Sequence, residues 1–151
     1  MRRVKVGAII VVEDKVAVLQ RQVDDKVYYT FPAGFKELYE SEEECVIRKA
    51  HEEFGIYVAP IRKLYEHTSD LGVENFYLST WLTGEFGKIA VDDPSDKYRY
   101  GYYKPVLIDI KDMPSLLVMP FEIADRFYRD YMKNPSNFKD TSIAISGTLA
   151  K

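Results

Sequence analysis

Two adjacent glutamates, Glu52 and Glu53, follow two basic residues, Arg48 and Lys49, at the spacing of one helical turn. Successive residues of a helix are rotated by about 100°, so Glu53 lies about 40° and Glu52 about 60° from Lys49 around the axis. Arg48 and Glu52 are i,i+4 neighbours. A helix at this point presents two carboxylates beside two cations.

Adjacent carboxylates are hard oxygen ligands of the kind that Mg²⁺ and Mn²⁺ prefer. Near the C-terminal end of a helix they face the negative end of its dipole, and a bound cation relieves that repulsion. Glu37 and Glu40, in the preceding loop, are close enough in sequence to reach the same place. On spacing alone, a solvated surface helix with ion pairs is the more usual interpretation of such a charge run.

Capping signals define the helix that carries these residues. Ser41 and Glu44 fit a capping box, three glutamates fill the first turn, and Gly55 is a natural C-terminal stop. The sequence therefore predicts a helix from about Glu42 to Phe54.

Strand-like segments flank this helix. A hairpin is predicted from two apolar runs rich in β-branched residues, and Pro32-Ala33-Gly34 is expected to break the third strand. Gly84 to Tyr100 is expected to be a long polar loop. The predicted strands are Val4 to Val12, Val16 to Gln22, Val27 to Phe31, Ile56 to His67, Glu74 to Thr83 and Tyr102 to Ile110.

A second helix is predicted to open at Pro120 and to run to about Met132, with an apolar stripe packed on the core. The stripe consists of Ile123, Ala124, Phe127, Tyr128 and Tyr131. Strands before and after one helix, with a late second helix, predict an α+β fold with a sandwiched sheet. The polar tail, residues 134–151, is not placed.

Bulk composition agrees with one compact domain over residues 1–151. The net charge of −3 argues against a broad nucleic-acid surface, and no apolar run approaches the length of a membrane span. The lone cysteine, Cys45, is expected to be a small buried residue in a protein of the reducing cytosol.

The segment from Gly34 to Ile56 resembles the Nudix box, G-x5-E-x7-R-E-U-x-E-E-x-G-U, where U is a bulky aliphatic residue. Seven positions fall in register: Gly34, Glu40, Arg48, Glu52, Glu53, Gly55 and Ile56. The resemblance extends over about Val4 to Met132 and implies a Nudix-type α/β/α sandwich with a mixed central sheet. The main departure is Lys49, because the family has glutamate directly after the arginine. Tyr39 is a lesser departure, at a position that is normally glycine.

The resemblance implies that Glu52 and Glu53 hold Mg²⁺ or Mn²⁺, with the carbonyl of Ala33 as an additional ligand. Glu40 would be a supporting carboxylate, and Arg48 would orient the glutamates through a salt bridge. Glu40 and Arg48 could instead have a purely structural role, because an arginine–carboxylate pair can hold the preceding loop against the helix.

Other candidates lie outside the box helix. Arg21 at a strand end would contact a phosphate, and Phe35, Tyr28 or Tyr29 would stack on a base, although strand aromatics usually belong to the core. Lys49 is a point charge suited to phosphate. Asp92 and Asp93 are further acids in the long loop, whereas His51 points away from Glu53 and is expected to be structural.

Two functions follow from the resemblance. The first is a metal-dependent hydrolase that cleaves a diphosphate linkage in a nucleoside diphosphate derivative. The second is a catalytically impaired Nudix fold that binds or senses a nucleotide. An isoprenoid diphosphate isomerase is disfavoured, because the only cysteine lies inside the box helix. The expected partner is a small nucleotide derivative rather than a nucleic acid or a membrane, and a homodimer stays open.

Overall fold

The computed structural model describes residues 3–88 and 102–139. Eight strands are present in this part of the chain: β1 (Arg3–Val12), β2 (Lys15–Val23), β3 (Lys26–Thr30), β4 (Ala33–Phe35), β5 (Ile56–Ser69), β6 (Gly72–Gly84), β7 (Tyr102–Asp109) and β8 (Val118–Met119). The helices are α1 (Glu42–Phe54), α2 (Phe121–Lys133) and the short α3 (Ser136–Lys139), with a 3₁₀ helix over Ile110–Ser115.

The strands form one mixed sheet in the order β5-β6-β1-β2-β3-β8, with β4 paired to β1 and β7 paired to β2. β1 runs parallel to β6, and β3 runs parallel to β8; the other pairs are antiparallel. The predicted hairpin is confirmed by the pairing of Val12 with Lys15 around Glu13 and Asp14.

The two faces of this sheet carry separate apolar cores, because side chains alternate along each strand. On β1, Val6, Ala8 and Ile10 pack under the buried face of α1. Ile9 packs instead with the α2 stripe, including Phe127. The α/β/α sandwich with a mixed central sheet is thereby confirmed, and so is the core role of the stripe.

The structure adds four elements to the predicted set, one of which is the 3₁₀ helix over Ile110–Ser115. A break was expected at Pro32-Ala33-Gly34, but Ala33–Phe35 forms β4 by pairing with Lys5–Gly7 of β1. Val118–Met119 forms β8 beside β3, and Ser136–Lys139 begins the tail with one helical turn. Pro120 is the N-cap of α2 and not its first residue. The region of the predicted loop that contains Asp92 and Asp93 lies outside the described residues.

Among the residues that the structure describes, no helix has the length and apolar character needed to span a bilayer.

Candidate active site

The helix α1 positions the candidate site, and its ends are set by local contacts. The Ser41 side chain accepts a hydrogen bond from the Glu44 backbone N–H at 3.0 Å, and the Glu44 carboxylate accepts one from the Ser41 N–H at 2.8 Å. At the other end Gly55 adopts φ 79°, and its N–H donates to the His51 carbonyl. The predicted capping box and glycine stop are both confirmed.

Arg48 joins α1 to the loop before it. Its Nε donates to Glu40 Oε2 at 2.6 Å, and its Nη2 donates to Glu40 Oε1 at 3.0 Å, so the pair is bidentate. The Arg48 hydrogen bonds lower the pKa of Glu40 to about 2 despite its burial. Nη2 also donates to the Phe35 carbonyl, and Nη1 to Glu52 at 3.3 Å. Both carboxylate oxygens of Glu40 are therefore bonded to Arg48, and this ion pair holds the loop before α1 against the helix.

Lys49 lies between the two glutamates of the box. Its Nζ is 3.1 Å from Glu52 Oε1 and 3.7 Å from Glu53 Oε2. The side chains of Lys49 and Glu53 are 20% and 19% exposed, whereas that of Glu52 is 47% exposed. An ammonium thus sits against both carboxylates at the rim of a half-buried site.

The two carboxyl groups respond differently to this environment. Burial raises the pKa of Glu53 more than the charges of Lys49 and Arg21 lower it, so the net shift is upward. Burial also opposes ionisation of Glu52, but hydrogen bonds and charges from Lys49 and Arg48 outweigh it and lower its pKa. Glu53 is consequently the carboxylate whose negative charge gains most from a further cation.

The Lys49 side chain is held by a close approach of the backbone at Gly34. A Cβ at position 34 would lie 2.6 Å from Cε of Lys49 and 2.7 Å from its Cδ. The absence of a side chain at Gly34 therefore leaves the space through which the lysine reaches the glutamates.

Arg21, at the end of β2, approaches the same site from the sheet. Its charge favours the ionised form of Glu53 and partly offsets the rise in pKa that burial causes. Within the described part of the chain, Arg21 Nε and Glu53 Oε1 are both buried and lack a hydrogen-bond partner. Two polar atoms of opposite charge character are thus left available for a ligand.

The structure brings together Arg21, Ala33, Arg48, Lys49, Glu52 and Glu53. The backbone N–H of Ala33 lies near enough to Glu53 to favour its charged form. The resemblance implied a role for the carbonyl of this residue, whereas the effect on Glu53 comes from its N–H.

The Phe35 ring is not brought to the carboxylates. Side chains alternate along β4, so Phe35 faces away from the side on which Gly34 meets Lys49. The Arg3 guanidinium covers the ring at 3.6 Å from its centroid. Only the carbonyl of Phe35 touches the site, through Arg48.

The remaining candidates are placed as follows. Tyr29 packs on the α2-side core, while Tyr28 is the register partner of Arg21. His51 stacks on Tyr57 with ring centroids 4.4 Å apart, in agreement with a structural role. Cys45 is fully buried as expected, and burial raises the pKa of its thiol to about 11.

Two residues on the strands that flank β2 were not singled out from the sequence. Tyr103 on β7 is the register partner of Arg21, with the guanidinium 5.9 Å from the ring centroid. Thr30 on β3 has a buried hydroxyl oxygen with no partner among the described residues. The signal for both is strand register, which depends on which strands pair and is not readable from local sequence.

The residues present offer a divalent ion a short ligand set. The unpartnered Oε1 of Glu53 and the neighbouring carboxylate of Glu52 fit one hard cation. In residues 3–88 and 102–139, no group of three or more acidic, histidine or cysteine side chains is arranged to hold a metal. Lys49 occupies the sequence position of a third carboxylate, and Glu40 is engaged by Arg48. Further oxygens for such an ion must therefore come from backbone, solvent or ligand.

Comparison with solved structures finds the same fold in several proteins. A NUDIX hydrolase from Nitrosomonas europaea superposes with a TM-score of 0.69 at 21% identity, covering 90% of this chain and 73% of that one. The E. coli ORF135 protein gives 0.62 at 19% identity, covering 89% and 95%. An ADP-ribose pyrophosphatase from Streptococcus suis gives 0.59 at 19% identity, covering 79% and 81%. At these identities the likeness concerns the fold.

A search among curated proteins finds no significant match to the sequence. The NUDIX domain family, in contrast, matches residues 1–103, which include the box helix, its flanking strands and the pairing of β5 with β6. The chain belongs to the NUDIX domain family.

Proposed function

We propose that this protein hydrolyses the diphosphate linkage of a nucleoside diphosphate derivative with the help of Mg²⁺ or Mn²⁺. The observation that carries the proposal is the carboxylate of Glu53, which is buried opposite Arg21 and leaves one oxygen without a partner among the described residues. Lys49 contacts the other oxygen, Oε2, at 3.7 Å, and a buried carboxylate oxygen without a partner is costly unless a further cation or donor meets it. A metal-bound diphosphate supplies that cation and presents phosphate oxygens to the arginine.

The proposed roles follow from the contacts. Glu52 and Glu53 would hold the ion, and the backbone of Ala33 borders the same space. Arg48 is a positioning residue, because it fixes Glu52 while its bidentate bond to Glu40 holds the loop. Arg21 would bind a phosphate oxygen.

A divalent ion, when bound, supplies charge neutralisation of the phosphates and a more acidic water. This chain's own residues orient and enclose the reaction. Arg21 fixes the diphosphate from the sheet side, and the α1 carboxylates approach it from the helix side. Phosphoryl transfer depends mainly on such positioning and electrostatic stabilisation, so this arrangement is suited to it.

The substrate class is proposed from the fold relatives. One of them is named an ADP-ribose pyrophosphatase, which makes ADP-ribose the first substrate to test. The negative overall charge agrees with a small nucleotide as ligand rather than a nucleic acid.

A second candidate function is nucleotide binding without turnover. The contact that favours it is Lys49, whose ammonium lies at 3.1 and 3.7 Å from the two carboxylates that a metal would need. A lysine cannot ligate a metal while protonated, and its charge competes for the same oxygens.

A panel of diphosphate substrates, tested with Mg²⁺ and with Mn²⁺, separates the two functions. Cleavage of the diphosphate linkage gives two phosphomonoesters, which are measured as the phosphate that an added phosphatase releases from them. Hydrolysis requires turnover by the wild type and its loss in the Glu52→Gln, Glu53→Gln double variant. Glu43→Gln is the matched control, because Glu43 is exposed on the same helix. Turnover that survives the double variant would contradict the proposed site, and nucleotide binding without turnover would favour the second function.

A further inference from the structure

A second cavity, which we call the basic groove, lies on the side of the sheet opposite α1. It has a volume of about 550 Å³ and is lined by Arg62 and Tyr65 of β5, by Arg126, Asp130 and Lys133 of α2, and by Asn137 of α3. This volume falls within the range of small-molecule sites, roughly 300–1,000 Å³. Tyr65 belongs to the α2-side core, so the sheet separates the groove from the Glu52–Glu53 site.

Three cations meet in this groove with one acid. The acid, Asp130, accepts a hydrogen bond from the Tyr65 hydroxyl at 2.7 Å. Among the described residues, no carboxylate lies within 4.0 Å of the charged nitrogens of Arg62, Arg126 or Lys133. The groove therefore carries an excess of positive charge on a chain whose net charge is negative.

Both arginines are held in place by neighbouring groups. Arg62 Nη2 donates to the Asn137 carbonyl at 3.1 Å, which ties β5 to α3. The Arg126 guanidinium lies 4.8 Å from the centroid of the Tyr65 ring. Burial raises the pKa of Tyr65, and the charges of both arginines act against that shift. Each of these exposed arginines thus has one contact that orients its guanidinium group at the groove.

The chemistry of this arrangement selects a phosphate group. Guanidinium groups match phosphate oxygens with paired N–H donors, and a lysine adds a mobile point charge. The side-chain amides of Asn134 and Asn137, which also line the groove, supply neutral donors at its edge.

We propose that the basic groove binds a small molecule through a phosphate or diphosphate group, at a site independent of the α1 carboxylates. The ligand is a phosphorylated small molecule, and the groove needs no metal ion to hold it.

The test is a titration of the full chain with inorganic pyrophosphate in the presence of EDTA, followed by ¹⁵N NMR. The side-chain amide signals of Asn134 and Asn137 report on the groove alone, so binding near Glu53 does not confuse the result. The expected outcome is a saturable shift of these signals. Arg62→Gln and Arg126→Gln should each weaken binding about tenfold, which corresponds to one lost charge-assisted contact.

Arg129→Gln is the matched control. Arg129 lies on α2, the helix that carries Arg126, but it is 75% exposed and pairs with Asp125 outside the groove. Its replacement by glutamine removes one positive charge, as each groove variant does. The affinity of the Arg129→Gln variant for pyrophosphate should stay within about twofold of that of the wild type, because the long-range attraction between charges is weak and screened by salt. The proposal is overturned if the amide signals show no saturable shift, or if Arg129→Gln weakens binding as much as the groove variants do. Lys133→Gln provides a third groove variant should either arginine change prevent folding.

Discussion

Lys49 is the residue at which the site departs most from the family pattern. Its ammonium contacts both box glutamates, and its stem passes over Gly34 without room for a Cβ. A cation tethered in this way partly neutralises the carboxylates, which lowers their attraction for a divalent ion. Lysine also lacks the carboxylate oxygens with which a glutamate at this position would bind a metal.

Replacing Lys49 by glutamate should therefore strengthen metal binding. Lys49→Glu adds one carboxylate and removes one competing charge, a local change of two units. We expect Mn²⁺ affinity in the presence of a diphosphate to rise about tenfold or more, since one coordination bond is worth a few kcal/mol and each ~1.4 kcal/mol is a factor of ten. The rate of hydrolysis should rise with it, measured by formation of the phosphomonoester products.

Lys49→Met separates the two contributions, because it removes the charge without adding a ligand. Its metal affinity should fall between those of the wild type and Lys49→Glu. If Lys49→Glu instead abolishes an activity that the wild type shows, the lysine is itself a phosphate-binding group.

The Glu40–Arg48 pair should make stability depend on pH. The pKa of Glu40 is lowered from 4.5 to about 2 in the folded chain, so its contribution is present above pH 4.5 and is lost as the pH falls towards 2. Glu40→Gln should reduce the free energy of unfolding by about 1–3 kcal/mol at pH 7, as expected for hydrogen bonds to charged groups.

Urea unfolding of the wild type and Glu40→Gln at pH 7 and pH 3 checks this. The difference in the free energy of unfolding between the wild type and Glu40→Gln should be smaller at pH 3 than at pH 7. An equal difference at both values would mean that the ionised carboxylate is not the source of the stability.

At the scale of elements, the helix α1 ends at Gly55 because this residue adopts a left-handed conformation. A Cβ at this residue would overlap the carbonyl oxygen of Lys88, and its φ of 79° is itself unfavourable for a side chain. Gly55→Ala should therefore lower the free energy of unfolding by about 2 kcal/mol or more, measured by chemical denaturation.

Gly87→Ala is the control for the energetic cost of placing a side chain on a residue with positive φ. Gly87 also has a positive φ, 91°, but a Cβ there meets nothing within 4 Å. It should cost only the conformational penalty, about 1–2 kcal/mol. Equal losses for Gly55→Ala and Gly87→Ala would show that the contact with Lys88 is not important.

Local signals predicted α1 and α2 well, because caps, stops and helical periodicity act over a few residues. The elements β4 and β8 were missed for the opposite reason. Each has three residues or fewer and exists only through hydrogen bonds to a distant strand, β1 or β3. Their sequences carry no periodicity of their own.

The site was predictable to a similar degree. Lys49, Glu52 and Glu53 were expected together because i,i+3 and i,i+4 spacing fixes them on one helix face. The approach of Arg21 to Glu53 and the contact of Gly34 with Lys49 depend on strand order, which is a long-range property. The Phe35 ring was expected at the ligand, and alternation along the unpredicted β4 turns it to the other face.

At the scale of the whole molecule, the central sheet separates two regions with different chemistry. The α1 side gathers the box carboxylates with Arg21, and the α2 side carries the basic groove. The proposed reaction and the proposed phosphate site can therefore be altered independently, and substitutions in one should leave binding at the other unchanged.

The central claim is that a divalent ion and a diphosphate meet at Glu52 and Glu53. Calorimetric titration of Mn²⁺ into the protein, with and without α,β-methylene-ADP, tests it most directly, since this analogue is not hydrolysed. We predict weak binding of Mn²⁺ alone and binding at least about tenfold tighter with the analogue, because Glu52 and Glu53 leave ligand positions for phosphate oxygens. The Glu52→Gln, Glu53→Gln double variant should lose this enhancement, whereas Glu43→Gln should keep it. The same Mn²⁺ affinity in the wild type and the double variant would contradict the account.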